Sequence, residues 1–422
     1  MNRQHIIILG GGQAGLQAAL SLRELGFSGT VSIITNEPGL PYQRPPLSKG
    51  YLLGKMRAGD LALRPADVLA QQNIALIAGE AISIDRRARQ LTLADGQRLT
   101  YDRLIIATGS RGRMCPLPGA DLPGIYTLRS KADADALGAG LALLAQAGHK
   151  APVLIMGGGF IGLEFAAVAT ESGFACTVVE RGTRLLERAL SPESAGYLQQ
   201  YHEQRGVRFH LATQVAGFCA GEQGRVGSVR LTDGSTLAAQ LVLVGIGGIA
   251  NDELAAASGL ACDNGIRVNA CLQTSDDAIF AIGDCARAPH PLAPAGLRLE
   301  SVGNAIDQGR LVAANVLGEG KVWQATPWFW SDQGREKIQM VGLGAACEQS
   351  VIRGEVGQGR FSVFCFQNEQ LRAVESINRP VDHMMARKWL EQGLSPTLEQ
   401  LADPNWDPKS LGKSSATPPV PG

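Results

Sequence analysis

The sequence lacks a charge excess and paired cysteines, and both absences narrow the classes of function. Its 422 residues hold 39 Lys plus Arg against 39 Asp plus Glu. Zero net charge gives no global attraction to nucleic acid or to an anionic membrane, so neither is predicted as a partner. The eight cysteines form no C-x-x-C or C-x4-C pair, and the six histidines form no HxxxH or HExxH pattern. We predict scattered reduced thiols and no metal site.

The sequence also has no long hydrophobic run, and we expect no leader segment. The longest weakly polar run, LGAGLALLAQAG at 137–148, is too short to cross a bilayer. A strand-like run, HIIIL at 5–9, begins almost at the initiator methionine, which leaves no room for a signal or transit peptide. The sequence therefore predicts a cytoplasmic location. Its length and its 45% hydrophobic content suffice for two or three domains.

What the chain does contain is one strand, glycine turn and helix unit in two copies. The first copy is HIIILGGGQAGLQAALSLRELG at 5–26 and the second is PVLIMGGGFIGLEFAAVATESG at 152–173. Their turn glycines are Gly10, Gly12 and Gly15 in the first copy and Gly157, Gly159 and Gly162 in the second. Glycines in such a turn let the backbone approach a pyrophosphate at a helix N-terminus, where free amides favour negative charge.

Each copy is followed by a second strand that closes on an acid. TVSIIT at 30–35 leads to Glu37, and CTVVE at 176–180 ends in Glu180. A carboxylate at this place accepts hydrogen bonds from a ribose, so the two copies predict two dinucleotides. Glu180 favours NAD over NADP because it repels a 2′-phosphate, although Arg181 and Arg184 leave NADP open.

Two further regions stand apart from the repeated unit. The proline segment, PYQRPPLSK at 41–49, has three prolines, and we predict that it runs extended rather than as helix or central strand. All five tryptophans lie after residue 320. There KIQMVGLG at 337–344 and RFSVFCFQNEQLRAVESIN at 360–378 alternate as strands do, and 379–393 reads as a helix, which predicts a third, α+β domain.

With LIIATGS at 104–110 and IFAIGDCA at 279–286 added, the sequence resembles the glutathione-reductase-like FAD/NAD(P) flavoproteins. A sharper resemblance is to the NADH-dependent ferredoxin reductases of oxygenase systems, the putidaredoxin reductase and aromatic-ring dioxygenase reductase group. It rests on YQRPPLSKGYL at 42–52, YTLRSKADADAL at 126–137, RLESVGNAIDQGRLVA at 298–313 and PWFWSDQ at 327–333. Disulfide-reducing relatives carry a cysteine pair where this chain has the proline segment, so we expect no thiol relay.

The resemblance implies an α/β fold with two Rossmann-like dinucleotide-binding domains and a C-terminal α+β interface domain. The expected boundaries are 1–115 and 247–325 for FAD, 116–246 for NAD and 326–410 for the C-terminal domain. Composition predicts a flexible tail at 411–422.

The implied function is transfer of electrons from NADH through FAD to a [2Fe–2S] ferredoxin, which feeds a Rieske-type dioxygenase or a cytochrome P450. A monomer or homodimer is expected. Ferredoxins are usually acidic, so the docking candidates are the cations Arg310, Arg335, Lys337, Arg387 and Lys388. Each of these is alternatively a solvated surface charge.

The resemblance also implies site residues. Lys49 is expected near flavin N5 with Glu164 as its charge partner, and Trp330 is expected to cover the nicotinamide site. The simpler alternatives are a solvated Lys49 and a Trp330 that only packs. The other cofactor-binding residues, besides the six turn glycines, Glu37 and Glu180, are Ala14, Arg44, Pro45, Ala81, Ala107, Thr108, Gly109, Arg129, Phe160, Ile161, Ile246, Gly247, Asp284, Glu300, Val302 and Ala305.

The sequence departs from the relatives' pattern at Ala250, where they usually have proline, and after SDQ, where Gly334 replaces an aromatic residue. Two enzyme alternatives stay open on the same scaffold, a rubredoxin reductase and a monodehydroascorbate-type radical reductase. An alternative of another class is a binding flavoprotein like the apoptosis-inducing factor, whose redox state governs its partners.

Overall fold

The computed structural model describes residues 4–147, 151–344 and 347–412. They form two compact units, one of Met1–Arg181 with Gly206–Ala325 and one of Gly182–Arg205 with Thr326–Gly422. Within these described ranges, no helix is both long and apolar enough to span a membrane. Residues 413–422 of the predicted tail lie outside the described residues.

Two parallel five-stranded sheets form the framework of the first unit. One has the order Ile279–Ala281, Arg103–Ile106, His5–Leu9, Thr30–Thr35, Ile74–Ala78, and the other has Ile125–Tyr126, Leu241–Val244, Pro152–Met156, Ala175–Val179, Arg208–His210. The strand that enters a glycine turn is central in both. Ile7, Ile8 and Leu154 on these strands are 0% exposed, as expected for β-branched and aliphatic runs covered on both faces.

Antiparallel strands and helices complete the first unit. The antiparallel sheets are Ala81–Asp85 with Gln90–Leu93 and Arg98–Thr100, Val215–Ala220 with Val226–Leu231 and Thr236–Ala238, Ser110–Gly112 with Gly248–Ala250, and Ala286–His290 with Ala293–Leu297. Ile266–Arg267 joins the last of these in parallel. The α-helices are Gln13–Glu24, Ala66–Gln71, Lys131–Ala147, Phe160–Glu171, Glu253–Ala257 and Val302–Val316. Short 3-10 turns are Pro45–Ser48, Ala58–Leu61, Glu222–Gly224 and Gly283–Cys285.

The second unit is an antiparallel sheet with helices. Its strand order is Trp328–Gln333, Glu336–Gly342, Gln370–Ile377, Arg360–Gln367, Gln349–Glu355. Its helices are Pro192–Glu203, Pro380–Glu391 and Leu398–Ala402, with 3-10 turns at Val356–Gln358 and Pro408–Ser410. The helix Pro192–Glu203 joins this unit because Ser191 donates to buried Glu375 and Tyr197 donates to Glu336.

The predicted elements agree with this architecture, with one exception. The α/β class with two Rossmann-like sheets and a C-terminal α+β domain is confirmed. The turn predicted between the last two strands is Asn368–Glu369, where both residues have positive φ, and the helix predicted at 379–393 is Pro380–Glu391. The exception is the proline segment, described below. The domain boundaries stay a prediction.

Candidate active site

The first glycine turn is shaped by close backbone contacts. Gly10 has φ +121° and its amide donates to Ile34 O at 2.8 Å. A Cβ at Gly10 would lie 2.1 Å from Ala107 O, and one at Gly15 would lie 2.0 Å from Gly10 O. Around Gly12, by contrast, nothing lies within 4 Å of the Cβ position. Helix Gln13–Glu24 starts there without a side-chain cap, so its first amides fit a pyrophosphate.

The second glycine turn repeats this geometry. Gly157 has φ +111° and donates to Val179 O at 2.8 Å. A Cβ at Gly157 would lie 2.4 Å from Gly245 O, whereas one at Gly159 would meet only Gly245 O, at 4.0 Å. Helix Phe160–Glu171 also lacks a side-chain cap. Both turns therefore fit the pyrophosphate of a dinucleotide.

The acid after the first turn is paired. Glu37 accepts hydrogen bonds from the Tyr42 hydroxyl and from the Arg44 guanidinium. Arg44 also donates to Arg129 O at 3.0 Å. Burial raises the pKa of Tyr42 to about 12, so its hydroxyl stays a donor. Burial lowers the pKa of Arg44, but Tyr42 and Glu37 outweigh it and raise that pKa above its usual value.

The acid after the second turn has a different partner. Glu180 Oε2 accepts a hydrogen bond from Gly158 N, inside its own glycine turn, at 2.7 Å. Arg184, one of the two arginines that left NADP open, donates to Leu190 O at 2.6 Å and to Glu187 O at 2.9 Å.

The proline segment is not extended as predicted. Pro45–Ser48 is a 3-10 turn with prolines at its first positions. Leu47 N donates to Arg44 O at 2.9 Å and Lys49 N donates to Pro46 O at 3.0 Å. The physical reason is that proline's fixed φ suits the start of a helix, where its missing amide has no partner to lose.

This turn brings Lys49 to Glu164. The Lys49 ammonium lies 2.7 Å from Glu164 Oε2, on helix Phe160–Glu171, and donates to Pro45 O at 3.2 Å. The Glu164 side chain is 3% exposed and that of Lys49 is 21% exposed. Ser48, a residue that sequence reasoning missed, donates to the same Glu164 oxygen. The structure thus forms the predicted ion pair, and Lys49 is not a solvated surface lysine.

Asp284 forms a second buried ion pair. It is 8% exposed and accepts hydrogen bonds from Arg129 and from Ser110 Oγ. Burial raises the pKa of the Asp284 carboxyl, and Arg129 opposes that rise. Gly283 N donates to Gln308 Oε1 at 2.7 Å. Ser110 and Gln308 were not predicted from the sequence.

The remaining predicted residues of the first unit lie near the ends of its helices and strands. Glu300 packs on Gly248, where a Cβ would lie 2.6 Å from its carboxylate oxygens. Ala250 pairs with Ser110 in an antiparallel ladder, and Thr108 Oγ1 donates to Asn251 O at 2.6 Å. Residues at helix or strand starts, or in turns beside them, are Ala14, Ala81, Ala107, Gly109, Phe160, Ile161, Ile246, Gly247, Val302 and Ala305. Trp330 belongs to the second unit, so its role stays a prediction.

Metal ligation is not supported in the described ranges. No group of three or more His, Cys, Asp or Glu side chains there is arranged to hold a metal ion. All eight cysteines are free.

Comparison with known proteins gives matches over nearly the whole chain. The Pyridine nucleotide-disulphide oxidoreductase family matches residues 4–309, and the Reductase C-terminal family matches residues 328–412. Rhodocoxin reductase of Rhodococcus erythropolis is 46% identical over 405 residues, which is 96% of this chain and 93% of the relative. Putidaredoxin reductase CamA of Pseudomonas putida is 38% identical over 404 residues, 94% of each chain.

Solved structures agree. The ferredoxin reductase for the CYP199A2 system from Rhodopseudomonas palustris superposes with a TM-score of 0.93 at 43% identity, covering 96% of this chain and 99% of that one. The covalent putidaredoxin reductase–putidaredoxin complex gives 0.91 at 37% identity, covering 96% and 97%. The chain belongs to the pyridine nucleotide-disulphide oxidoreductase family, and it carries the reductase C-terminal domain.

Proposed function

We propose that the chain is an NADH-dependent ferredoxin reductase, which passes electrons from NADH through FAD to a [2Fe–2S] ferredoxin of an oxygenase system. The observation that carries this proposal is the pair of glycine turns in one unit, with the Lys49–Glu164 ion pair between the proline segment and the second turn's helix. The near full-length similarity to reductases named for rhodocoxin, for putidaredoxin and for the CYP199A2 system supports it.

The residues divide the work between binding and electrostatics. The uncapped amides at Gly12 and Gly159 would hold the two pyrophosphates. Glu164 fixes the Lys49 ammonium, which would stabilise negative charge developing on the flavin ring. Bound FAD supplies the adaptor between the two-electron hydride of NADH and the one-electron iron–sulfur centre. The chain's own contribution is therefore to position the two dinucleotides and to place a positive charge beside the flavin ring.

Discrimination between the nicotinamide cofactors is assigned to Glu180. Its carboxylate is held at the second turn by Gly158 N, where it would accept ribose hydroxyls and repel a 2′-phosphate. Arg184 is engaged with backbone carbonyls. This arrangement supports NADH as the electron donor.

Ferredoxin docking is assigned to exposed cations. Arg310, Arg335, Lys337 and Lys388 are exposed. Arg387 pairs with Glu391 at 2.9 Å and lies over the Trp328 ring. An acidic ferredoxin would be steered by such charges, so ferredoxin reduction should slow as ionic strength rises. A rate independent of salt would contradict this assignment.

A rubredoxin is the second candidate acceptor. The rubredoxin-NAD(+) reductase of Pseudomonas putida is 34% identical over 376 residues, which cover 89% of this chain. Its name gives NAD(+) as the nicotinamide cofactor and rubredoxin in place of a ferredoxin.

The test is NADH-driven cytochrome c reduction by the FAD-loaded protein, with and without a purified [2Fe–2S] ferredoxin. Parallel arms use a rubredoxin in its place and NADPH as donor. We expect a large increase that requires both NADH and the ferredoxin. An increase with rubredoxin alone would move the assignment to the second candidate.

We also propose a cytoplasmic location and the predicted domain boundaries. Eight free cysteines suit a reducing compartment. Cell fractionation tests the location, and limited proteolysis near residues 115, 246 and 326 tests the boundaries.

A further inference from the structure

The buried Glu164 carboxylate receives two donors from the proline segment. Lys49 Nζ and Ser48 Oγ both reach its Oε2 atom. The proposed function uses the lysine and the glutamate, and it leaves the serine without a role. Ser48 is 2% exposed, so its hydroxyl is shielded from solvent.

The Ser48 hydroxyl has one hydrogen and two acceptors near it. Besides Glu164, the carbonyl of Pro45 lies 3.4 Å from Ser48 Oγ. A charge-assisted bond to a carboxylate is roughly twice as strong as a neutral one, so the hydrogen belongs to Glu164. The Lys49 ammonium is in turn held by Glu164 and by Pro45 O. Ser48 thus holds the Glu164 carboxylate, which in turn holds the Lys49 ammonium.

We propose that Ser48 is a positioning residue for flavin reduction, acting through Glu164 on the Lys49 ammonium. This inference rests on the proposed function only in placing Lys49 beside the flavin. Without the hydroxyl, the Glu164 carboxylate loses one of its two side-chain donors from the proline segment and holds the Lys49 ammonium less firmly. The simpler alternative is that Ser48 only stabilises the 3-10 turn through Pro45 O, which would affect folding and not electron transfer.

The experiment compares Ser48→Ala and Ser48→Thr with the native protein. Ser32→Ala is the matched control, because Ser32 is another buried serine of the same unit, bonded to His5 at 2.9 Å. The measurements are FAD content, Tm, the rate of NADH-driven ferricyanide reduction without ferredoxin, and the midpoint potential of the bound flavin.

We expect Ser48→Ala to keep its FAD and to lose about tenfold in rate, which is the size of one hydrogen bond to a charged group. Its flavin potential should become more negative, because a less fixed cation stabilises added negative charge less. Ser48→Thr, which keeps the hydroxyl, should recover both values. Ser32→Ala should change Tm alone.

A double variant separates action through Glu164 from a local effect. In a Glu164→Ala background, Ser48→Ala should cause no further loss of rate. The same tenfold loss in that background, or a lowered Tm with native rate and potential in the single variant, would overturn the proposal. If Ser48→Ala fails to load FAD, Ser48→Cys decides, since it keeps the volume with a weaker donor, and a native rate would overturn the proposal.

Ferricyanide accepts electrons directly from the reduced flavin. The test of Ser48 can therefore be interpreted even if the protein reduces no ferredoxin.

Discussion

The two glycine turns of the first unit have the same backbone and different acids. A Cβ at Gly10 would lie 2.1 Å from a facing carbonyl oxygen and one at Gly157 would lie 2.4 Å from one, whereas Gly12 and Gly159 both face open space. After the first turn, however, Glu37 is tied to Tyr42 and Arg44 of the proline segment. After the second, Glu180 accepts a hydrogen bond from Gly158 N of its own turn.

We propose that this difference gives one motif two modes of dinucleotide binding. Arg44 links the first acid to Arg129 O, and Arg129 pairs with buried Asp284. The first turn is thereby part of a charged network suited to a cofactor that stays bound. At the second turn, Glu180 accepts a hydrogen bond from Gly158 N within the turn itself. We propose that the dinucleotide bound there enters and leaves in each cycle.

The strongest test of this comparison adds one methyl group to each turn. Gly12→Ala and Gly159→Ala place a Cβ in space that the protein leaves open. Losing about 3 kcal/mol of phosphate contact should weaken binding about a hundredfold. We expect Gly12→Ala to lose FAD and Gly159→Ala to keep FAD and raise KM for NADH, measured by flavin absorbance and steady-state kinetics. Loss of FAD from both variants would contradict the assignment of the turns.

Removing the arginine of the first network should have the next largest effect. Of the two side chains that donate to Glu37, Arg44→Gln removes the guanidinium and keeps the Tyr42 hydroxyl. FAD affinity should fall about tenfold, as for one charge-assisted bond, while KM for NADH stays unchanged. The control is Arg181→Gln, which follows the second acid and should retain FAD. Equal FAD affinity in Arg44→Gln and native protein would break the proposed difference between the turns.

Neutralising the second acid should alter cofactor choice. Glu180→Gln keeps the size of the side chain and removes the charge that repels a 2′-phosphate. The ratio of kcat/KM for NADH to that for NADPH should fall about tenfold. The analogous Glu37→Gln should leave this ratio unaltered. An unchanged ratio in Glu180→Gln would remove Glu180 from cofactor discrimination.

The smallest expected effect concerns Trp330. Its ring is stacked on Trp328 with centroids 5.5 Å apart. If Trp330 covers the nicotinamide at the second turn, Trp330→Ala should raise KM for NADH about fivefold, the size of one aromatic contact. Trp328→Ala should mainly lower Tm. Matching effects of the two variants on Tm alone would favour packing as the role of both.

The repeated units were predictable because their signals are local. Strands such as His5–Leu9, the turn glycines and a C-terminal glycine at Gly26 follow from neighbouring residues. The side-chain pairs of the site were not predictable from neighbouring residues. Ser48 and Glu164 are 116 residues apart in the sequence, and Arg129 and Asp284 are 155 apart. Family resemblance supplied the Lys49–Glu164 pair.

The proline segment shows a limit of a different kind. Three prolines exclude a central strand, but they are compatible with either an extended chain or the first turn of a helix. In the observed 3-10 turn, Leu47 and Ser48 are both buried. Burial of these two side chains requires tertiary contacts that the segment alone does not reveal.

The most direct test of the central claim is an anaerobic titration of the FAD-loaded protein and a panel of [2Fe–2S] ferredoxins, putidaredoxin among them, with NADH. The account predicts that each NADH reduces two equivalents of a cognate ferredoxin, and that NADPH does so far more slowly. Reduction of the flavin without reduction of any ferredoxin in the panel would contradict it.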